Sequence, residues 1–311
     1  MRIRVFVEAH RGATYGDQLR MARCAEDGGF DGFFRADHYL SFTDAYGDPG
    51  APGPTDAWLT LAALARETSR IRLGTLVSSA TFRPPGPLAI AVAQVDQMSD
   101  GRVELGLGAG WYEREHRAYG IGFPPVGTRF DRLAEQLEII TGLWATRDDE
   151  RYTFHGDHYE LVDAPALPKP VQRPGPPVIV GGRGPKRTPE LAARFAAEYN
   201  VPFTTVATAA RQYELVRDAC ARLGRTTPPT FSAGMVVYCG RSAAEVEHRC
   251  RDRHRKSALP PEDAVLGTPA QVVDRIGEFA AVGAEVIYLR LAIHDLDHVT
   301  LLASDVLPQL P

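Results

Sequence analysis

Short runs of β-branched and aromatic residues alternate with amphipathic stretches along almost the whole chain. Eight runs read as strands: IRVFVEA (3–9), GFFRA (32–36), IRLGTLV (71–77), VELGLG (103–108), PVIVGG (177–182), EYNV (198–201), TFSAGMVVYC (230–239) and EVIYLRLAI (285–293). EYNV carries the weakest signal of the eight. The helices between them have start signals. Thr55, after Pro54, is placed to cap DAWLTLAALARE. Ser242-Ala-Ala-Glu245 and Thr268-Pro-Ala-Gln271 have capping-box spacing, the second with proline at the first helical position. Phe130, Leu133, Leu137, Ile140 and Trp144 fall on one helical face.

Strand–helix alternation of this kind implies right-handed βαβ units and a parallel sheet. Eight units predict an α/β fold, a closed (β/α)8 TIM barrel, over an open doubly wound sheet. The unbroken apolar character of IRLGTLV and PVIVGG fits strands buried on both faces. A two-domain α/β arrangement stays as the alternative because the sixth strand is weak. Residues 146–176 are too long for an ordinary helix–strand loop. They read as an insertion between the fourth helix and the fifth strand of one domain spanning 1–311, with the proline-rich end (165–177) extended over the barrel.

Composition narrows the picture. The 311 residues permit a large buried core. A net charge of -4, from 35 basic and 39 acidic residues, predicts neither a nucleic-acid nor a membrane partner. MRIRVFVEAH reads as a first strand and not as a signal peptide, and no apolar run is long enough to span a bilayer. Cys24, Cys220, Cys239 and Cys250 lack C-x-x-C spacing and read as reduced thiols of a cytoplasmic protein. His248, Cys250 and His254 sit within HRCRDRHRK, whose positive charge opposes a cation. They read as a solvated helix face, and no metal site is expected.

The stretch GLGAGWYEREHRAYG (106–120) has the glycine density of a nucleotide loop. Its Gly106, Gly108 and Gly110 are spaced G-x-G-x-G, so the third arrives one residue early for a dinucleotide fingerprint. The unit is also the fourth in the chain. At the carboxyl end of a strand such glycines either form a turn needing positive φ or let a planar ring or phosphate approach the backbone.

Residues 60–124, from TLAALARETSRIRLGTLVSSATFRPPGPL to GLGAGWYEREHRAYGIGFP, resemble the bacterial luciferase-like superfamily. Within it they are most similar to oxidoreductases that use the deazaflavin coenzyme F420. GATYGDQLRMARCAEDGGFDGFFRADHY (12–39), DAPALPKPVQRPGPPVIVGGRGPKRTPELAARFAAEYNV (163–201) and LGTPAQVVDRIGEFAAVGAEVIYL (266–289) share the resemblance. It implies a TIM barrel with an insertion, a homodimer, and F420 at the carboxyl ends of the strands, with FMN as the alternative cofactor.

The resemblance singles out residues. It implies a non-prolyl cis bond at Leu76–Val77 backing the ring, with Ser79 at the ring edge. Asp37-His38 ends the second strand as in the family, and His38 is the candidate proton relay. Glu8 ends the first strand on the same rim, either chemical or salt-bridging. Gly108, Ala109 and Gly110, with Trp111 and Tyr112, form the fourth-strand cofactor loop. Gly181, Gly182, Arg183 and Gly184, followed by Lys186, Arg187 and a helix start, combine backbone N–H groups with cations and suit a phosphate. Arg290 is placed near the rim, as a cofactor contact or in a buried ion pair. Arg117 and His116 read as helix surface.

Two departures matter. Arg83-Pro84-Pro85 stands where many relatives read Arg-His-Pro. Trp111 stands where sugar-phosphate dehydrogenases of the group carry a glutamate, which argues against a glucose-6-phosphate type substrate. The expected activity is hydride transfer between F420 and a small molecule at a C=C, C=N or C=O bond. An FMN-dependent monooxygenase is the alternative, and a non-catalytic cofactor-binding or sensor protein is the rival from another class.

Overall fold

The computed structural model describes residues 1–41, 54–254 and 264–310, with side chains of 252–254 left out. His254, read above as part of a solvated helix face, therefore has its side chain outside the described residues.

Eight parallel strands close into a barrel: Arg2–Val7, Gly32–Arg35, Arg72–Thr75, Val103–Gly108, Val178–Gly181, Glu198–Val201, Thr230–Cys239 and Val286–Leu291. Neighbours follow chain order, except that the seventh strand also carries the short strand Val265–Gly267 on its carboxyl half. Pairing of the seventh strand with both the sixth and the eighth, and of the eighth with the first, completes the ring. The weak sixth strand is thus a full barrel member, buried along its whole length. An open sheet is excluded by that closure.

The first strand shows how the layers are sorted. Ile3, Val5 and Val7 join the large apolar cluster between the sheet and its helices. Arg4, Phe6 and Glu8 alternate with them and point into the barrel. Lowest inside is a charged layer, where Arg4 donates to Glu104 (2.8 and 2.9 Å), Glu198 (3.1 Å) and Tyr288 (2.6 Å). Above it an apolar layer brings Phe6, Phe34, Ile179 and Tyr288 together. Polar residues return at the carboxyl rim, with Glu8 and Arg290.

Helix starts only partly follow the sequence reading. The Thr268–Gln271 box forms as expected, with Pro269 opening the helix Pro269–Ala281. Helix Ala57–Glu67 is capped by Asp56, not Thr55, because the Asp56 carboxylate reaches the N–H groups of Trp58 and Leu59. The Thr55 hydroxyl instead meets Gln18 and Arg35. Ser242 accepts from the Glu245 N–H, but the Glu245 carboxylate turns back to the Arg241 N–H, so the reciprocal half of that box is missing. Helix Val126–Ala145 buries Leu133, Leu137, Ile140 and Trp144 as the periodicity implies. Residues 146–176 contain an antiparallel hairpin, Tyr152–His155 with Glu160–Ala164, ahead of the proline-rich end. Among the described residues no helix is long and apolar enough to cross a membrane.

Candidate active site

A cavity of about 580 Å³ opens at the carboxyl ends of the barrel strands. That volume suits a cofactor or drug-sized ligand. Of the candidate site residues above, all line it except Tyr112 and the cations Lys186 and Arg187. The Tyr112 hydroxyl instead donates to the Ser41 carbonyl, 3.1 Å away.

The second strand delivers Asp37 and His38. Asp37 is buried and fully engaged: its carboxylate accepts from Arg83 (2.6 Å) and from the Ser78 hydroxyl (2.7 Å). Arg83 goes on to Asp56 (2.5 Å) and the Tyr39 hydroxyl (3.1 Å). Asp37 therefore ties the second strand's end to the third's. Here Arg83 supplies the polar link even though proline follows it in place of histidine. His38 lies deeper in the chemistry. Its Nδ1 is 2.8 Å from a carboxylate oxygen of Glu115, and its ring meets Trp111 and His10 edge-on, at 5.8 and 5.2 Å between centroids. Glu115, only 1% exposed, also accepts from the backbone N–H of Tyr39 at 2.9 Å. Its short helix, Glu113–Ala118, follows the glycine run directly.

The peptide bond between Leu76 and Val77 is cis, and both side chains line the cavity. Beyond it Ser78–Ser79 pairs with Leu107–Gly108 of the fourth strand. This explains the glycine spacing. A Cβ on Gly106 would stand 2.1 Å from the Thr75 carbonyl oxygen. Gly110 has φ +77°, and a Cβ there would stand 2.3 Å from the Ser79 hydroxyl. Both glycines make room for the third strand, and Gly110 adds the positive φ of the turn reading.

His116 was expected on the surface and is fully buried. Its helix presses inward at Glu115 and His116, while Glu113, Arg114, Arg117 and Ala118 are exposed. A helix of six residues is too short for the apolar periodicity that would have revealed this.

After the fifth strand, Gly181 to Gly184 curve over Thr188, near the start of helix Arg187–Phe195. Arg183 and Thr188 line the cavity opposite Arg129 and Phe130. The expected convergence of cations is smaller than the sequence suggests. Arg187 turns away to Asp131 and the Gly127 carbonyl, and Lys186 does not line the cavity. The Gly182 N–H is used by the Asn200 carbonyl.

On the far side Glu8 bridges two guanidinium groups, Arg11 at 3.1 Å and Arg290 at 3.4 Å. The Arg290 guanidinium also lies over the Phe203 ring. Arg290 is thus both an ion-pair partner and a cavity residue. His10, 3% exposed, has its pKa lowered to about 3 by burial, so its ring is neutral in ordinary buffers. His10, Arg11, Glu115, Asn200 and Phe203 escaped the sequence reading. In sequence they are ordinary polar or aromatic residues outside any motif.

The lining fits a planar, phosphate-bearing cofactor. Leu76, Val77 and Ala109 give apolar surface for a ring, Ser79 and His38 give polar edges, and Arg183 with Thr188 gives groups that could hold an anion. Among the described residues no group of His, Cys, Asp and Glu could hold a metal ion.

The family model described as luciferase-like monooxygenase matches residues 1–259. An F420-dependent glucose-6-phosphate dehydrogenase of Microbacterium testaceum is 38% identical over 176 residues, 56% of this chain and 49% of that protein. The chain spans about half the length of such curated relatives, with 56% of a second one, from Amycolatopsis mediterranei, in the match. Among solved structures, an F420-dependent secondary alcohol dehydrogenase in complex with an F420-acetone adduct superposes with a TM-score of 0.82. It covers 98% of both chains at 20% identity, a likeness of fold alone. The monooxygenase RslO1 from Streptomyces bottropensis gives a TM-score of 0.78 at 25% identity over 99% of both chains.

Proposed function

Because the chain belongs to the luciferase-like monooxygenase family, we propose that it is an oxidoreductase using coenzyme F420 to exchange hydride with a small organic substrate at a C=C, C=N or C=O bond. The observation that carries this reading is the meeting, in one cavity, of the apolar side chains of Leu76 and Val77, the His38–Glu115 pair and the Arg183 guanidinium. The curated relatives with F420 in their names support the choice of cofactor. When bound, the deazaflavin supplies a hydride donor or acceptor at its central ring carbon.

The chain's own residues do the rest. Leu76, Val77 and Ala109 would hold the ring face, and Arg183, Thr188 and the Gly184 loop would hold the phosphate. His38, fixed through Nδ1 by Glu115, presents its other edge, with Nε2, to move a proton at the substrate. Trp111, 62% exposed at the cavity mouth, joins Val126 and Phe130 in an apolar wall where an acid would otherwise stand. That wall favours an apolar organic substrate over a sugar phosphate. The reading includes a homodimer in the cytoplasm, with no nucleic-acid or membrane partner.

A second reading, an FMN-dependent monooxygenase, is favoured by the likeness to RslO1. Titration of the apoprotein with F420 and with FMN separates the two. Tight F420 binding with weak FMN binding supports the first, and the reverse overturns it. Binding without turnover across a panel of carbonyl, imine and enone substrates would leave the sensor reading.

A further inference from the structure

A line of three side chains runs from the cavity wall into the protein, and none of them belongs to the His38 pair. Ser79 lines the cavity. Its Oγ is 2.6 Å from the Thr81 Oγ1, which is 2.6 Å from Nε2 of His116. Nδ1 of His116 is 2.8 Å from the Tyr112 carbonyl oxygen. The imidazole is fully buried between the Phe82 and Phe123 rings, at 5.1 and 4.6 Å between centroids. The charged groups nearest in the packing are turned elsewhere. Glu115, its neighbour in the chain, faces His38, and the Arg129 guanidinium lies over Phe123.

The direction of each hydrogen bond follows from this geometry. A carbonyl oxygen only accepts, so Nδ1 carries a hydrogen. In the neutral ring Nε2 is then a lone pair, and Thr81 must donate to it. The single Thr81 proton being used, Ser79 donates to Thr81, and Ser79 meets the cavity with lone pairs only. If the ring takes a second proton, both nitrogens donate. Thr81 then turns its hydrogen to Ser79, and the Ser79 hydroxyl hydrogen turns to the cavity. Both states leave every group in the chain satisfied. They differ by one proton and by whether Ser79 accepts or donates.

We propose that Ser79, Thr81 and His116 form a proton relay between the cavity and a buried imidazole, acting as a second acid–base group beside His38. A cavity group X–H bonded to Ser79 loses its proton to the Ser79 oxygen. The Ser79 hydrogen passes to Thr81, the Thr81 hydrogen passes to Nε2, and the products are X⁻ and imidazolium. The reverse sequence returns the proton, and no electrons are exchanged. Hydride exchange between two organic partners leaves one proton to be removed from one partner and one to be added to the other. His38 beyond the second strand and Ser79 beyond the third both line the cavity and belong to separate hydrogen-bonded groups, so one group can serve each partner. The proposal rests on the oxidoreductase reading for its use, but the two states of the chain do not.

The test is nitrogen NMR of histidine-labelled full-length protein, with His116→Phe to assign the signal. In the protein alone, His116 is expected as the neutral tautomer with hydrogen on Nδ1. With oxidised and then borohydride-reduced F420 added, the ring is expected to be imidazolium in one complex and neutral in the other. Ser79→Ala, and separately the isosteric Thr81→Val, should hold it neutral in both. A ring with its hydrogen on Nε2 in the free protein overturns the proposal, as does an unchanged ring in both complexes or an undiminished response in the two variants. Absence of F420 binding refutes the cofactor and not the relay. In that case oxidised and reduced FMN are used as the probes, with the same outcomes deciding.

Discussion

The carboxylate of Glu115 and the Nδ1 of His38 stand 2.8 Å apart, although the residues belong to different units of the barrel. A buried carboxylate so placed fixes the tautomer and the ring plane of the histidine it faces. The arrangement also has a source in the fold. The G-x-G-x-G turn brings helix Glu113–Ala118 back over the end of the second strand, and Glu115 is anchored there by the Tyr39 N–H.

His38→Ala is expected to lower turnover by about 10²–10⁴-fold, the usual contribution of a positioned acid or base. Affinity for the cofactor should be retained. Glu115→Gln keeps the shape but removes the charge opposite Nδ1, and should lower turnover by a smaller factor. Steady-state kinetics beside a cofactor titration checks both. Undiminished turnover in His38→Ala ends the assignment.

Arg183 is the one residue of the Arg183, Lys186 and Arg187 group that lines the cavity. If it meets a phosphate, Arg183→Ala removes a charge-assisted hydrogen bond, about 1.5–3 kcal/mol or roughly 10–150-fold in Kd. The same substitution should leave unchanged the binding of the phosphate-free deazaflavin riboside. Equal losses for both ligands would place the phosphate elsewhere.

The barrel and most of the rim were legible in the sequence because each follows from a local regularity. Apolar runs of strand length marked the eight strands. The ends of those runs marked Glu8, His38, Gly181 and Arg290, since strand ends in a barrel share one rim. What stayed hidden depends on contacts between units. The cap at Asp56 in place of Thr55 turned on which side chain Arg35 occupied. His116 read as helix surface and Glu115 was not singled out, and only the path of the loop after Gly110 carries them inward. The glycines illustrate both sides. Their spacing ruled out a dinucleotide fingerprint, but the close approaches to Thr75 and Ser79 appear only once the third and fourth strands are side by side.

Arg4 pairs with three carboxylates, Asp31 and the buried Glu104 and Glu198 of the lowest barrel layer. Arg72 also bonds Glu104, so Glu198 depends more heavily on Arg4. Arg4→Met should therefore destabilise the fold by up to about 3–5 kcal/mol, the cost of leaving a buried charge unpaired, less what Glu198 recovers by taking a proton, since burial already raises its pKa. Adding Glu198→Gln should recover part of that loss, because the uncompensated charge is then gone. Urea unfolding of the single and double variants tests this. A single variant within about 0.5 kcal/mol of the parent, the scatter of surface changes, would mean the layer is not held by charge.

His10 gives the barrel an acid sensitivity whose sign is fixed. In the folded protein burial lowers its pKa to about 3, from an ordinary value of 6.5. Between those values the unfolded chain binds a proton that the folded chain does not, so stability falls as pH falls. The contribution is fully present above the unfolded pKa and is lost progressively below it, down to the folded pKa. From pH 7 to pH 5 the loss from this residue alone is about 2 kcal/mol. His10→Gln removes the titration, so its urea midpoint should drop less than the parent's over that interval. Parallel pH dependence in the two proteins would show that His10 is protonated in the fold.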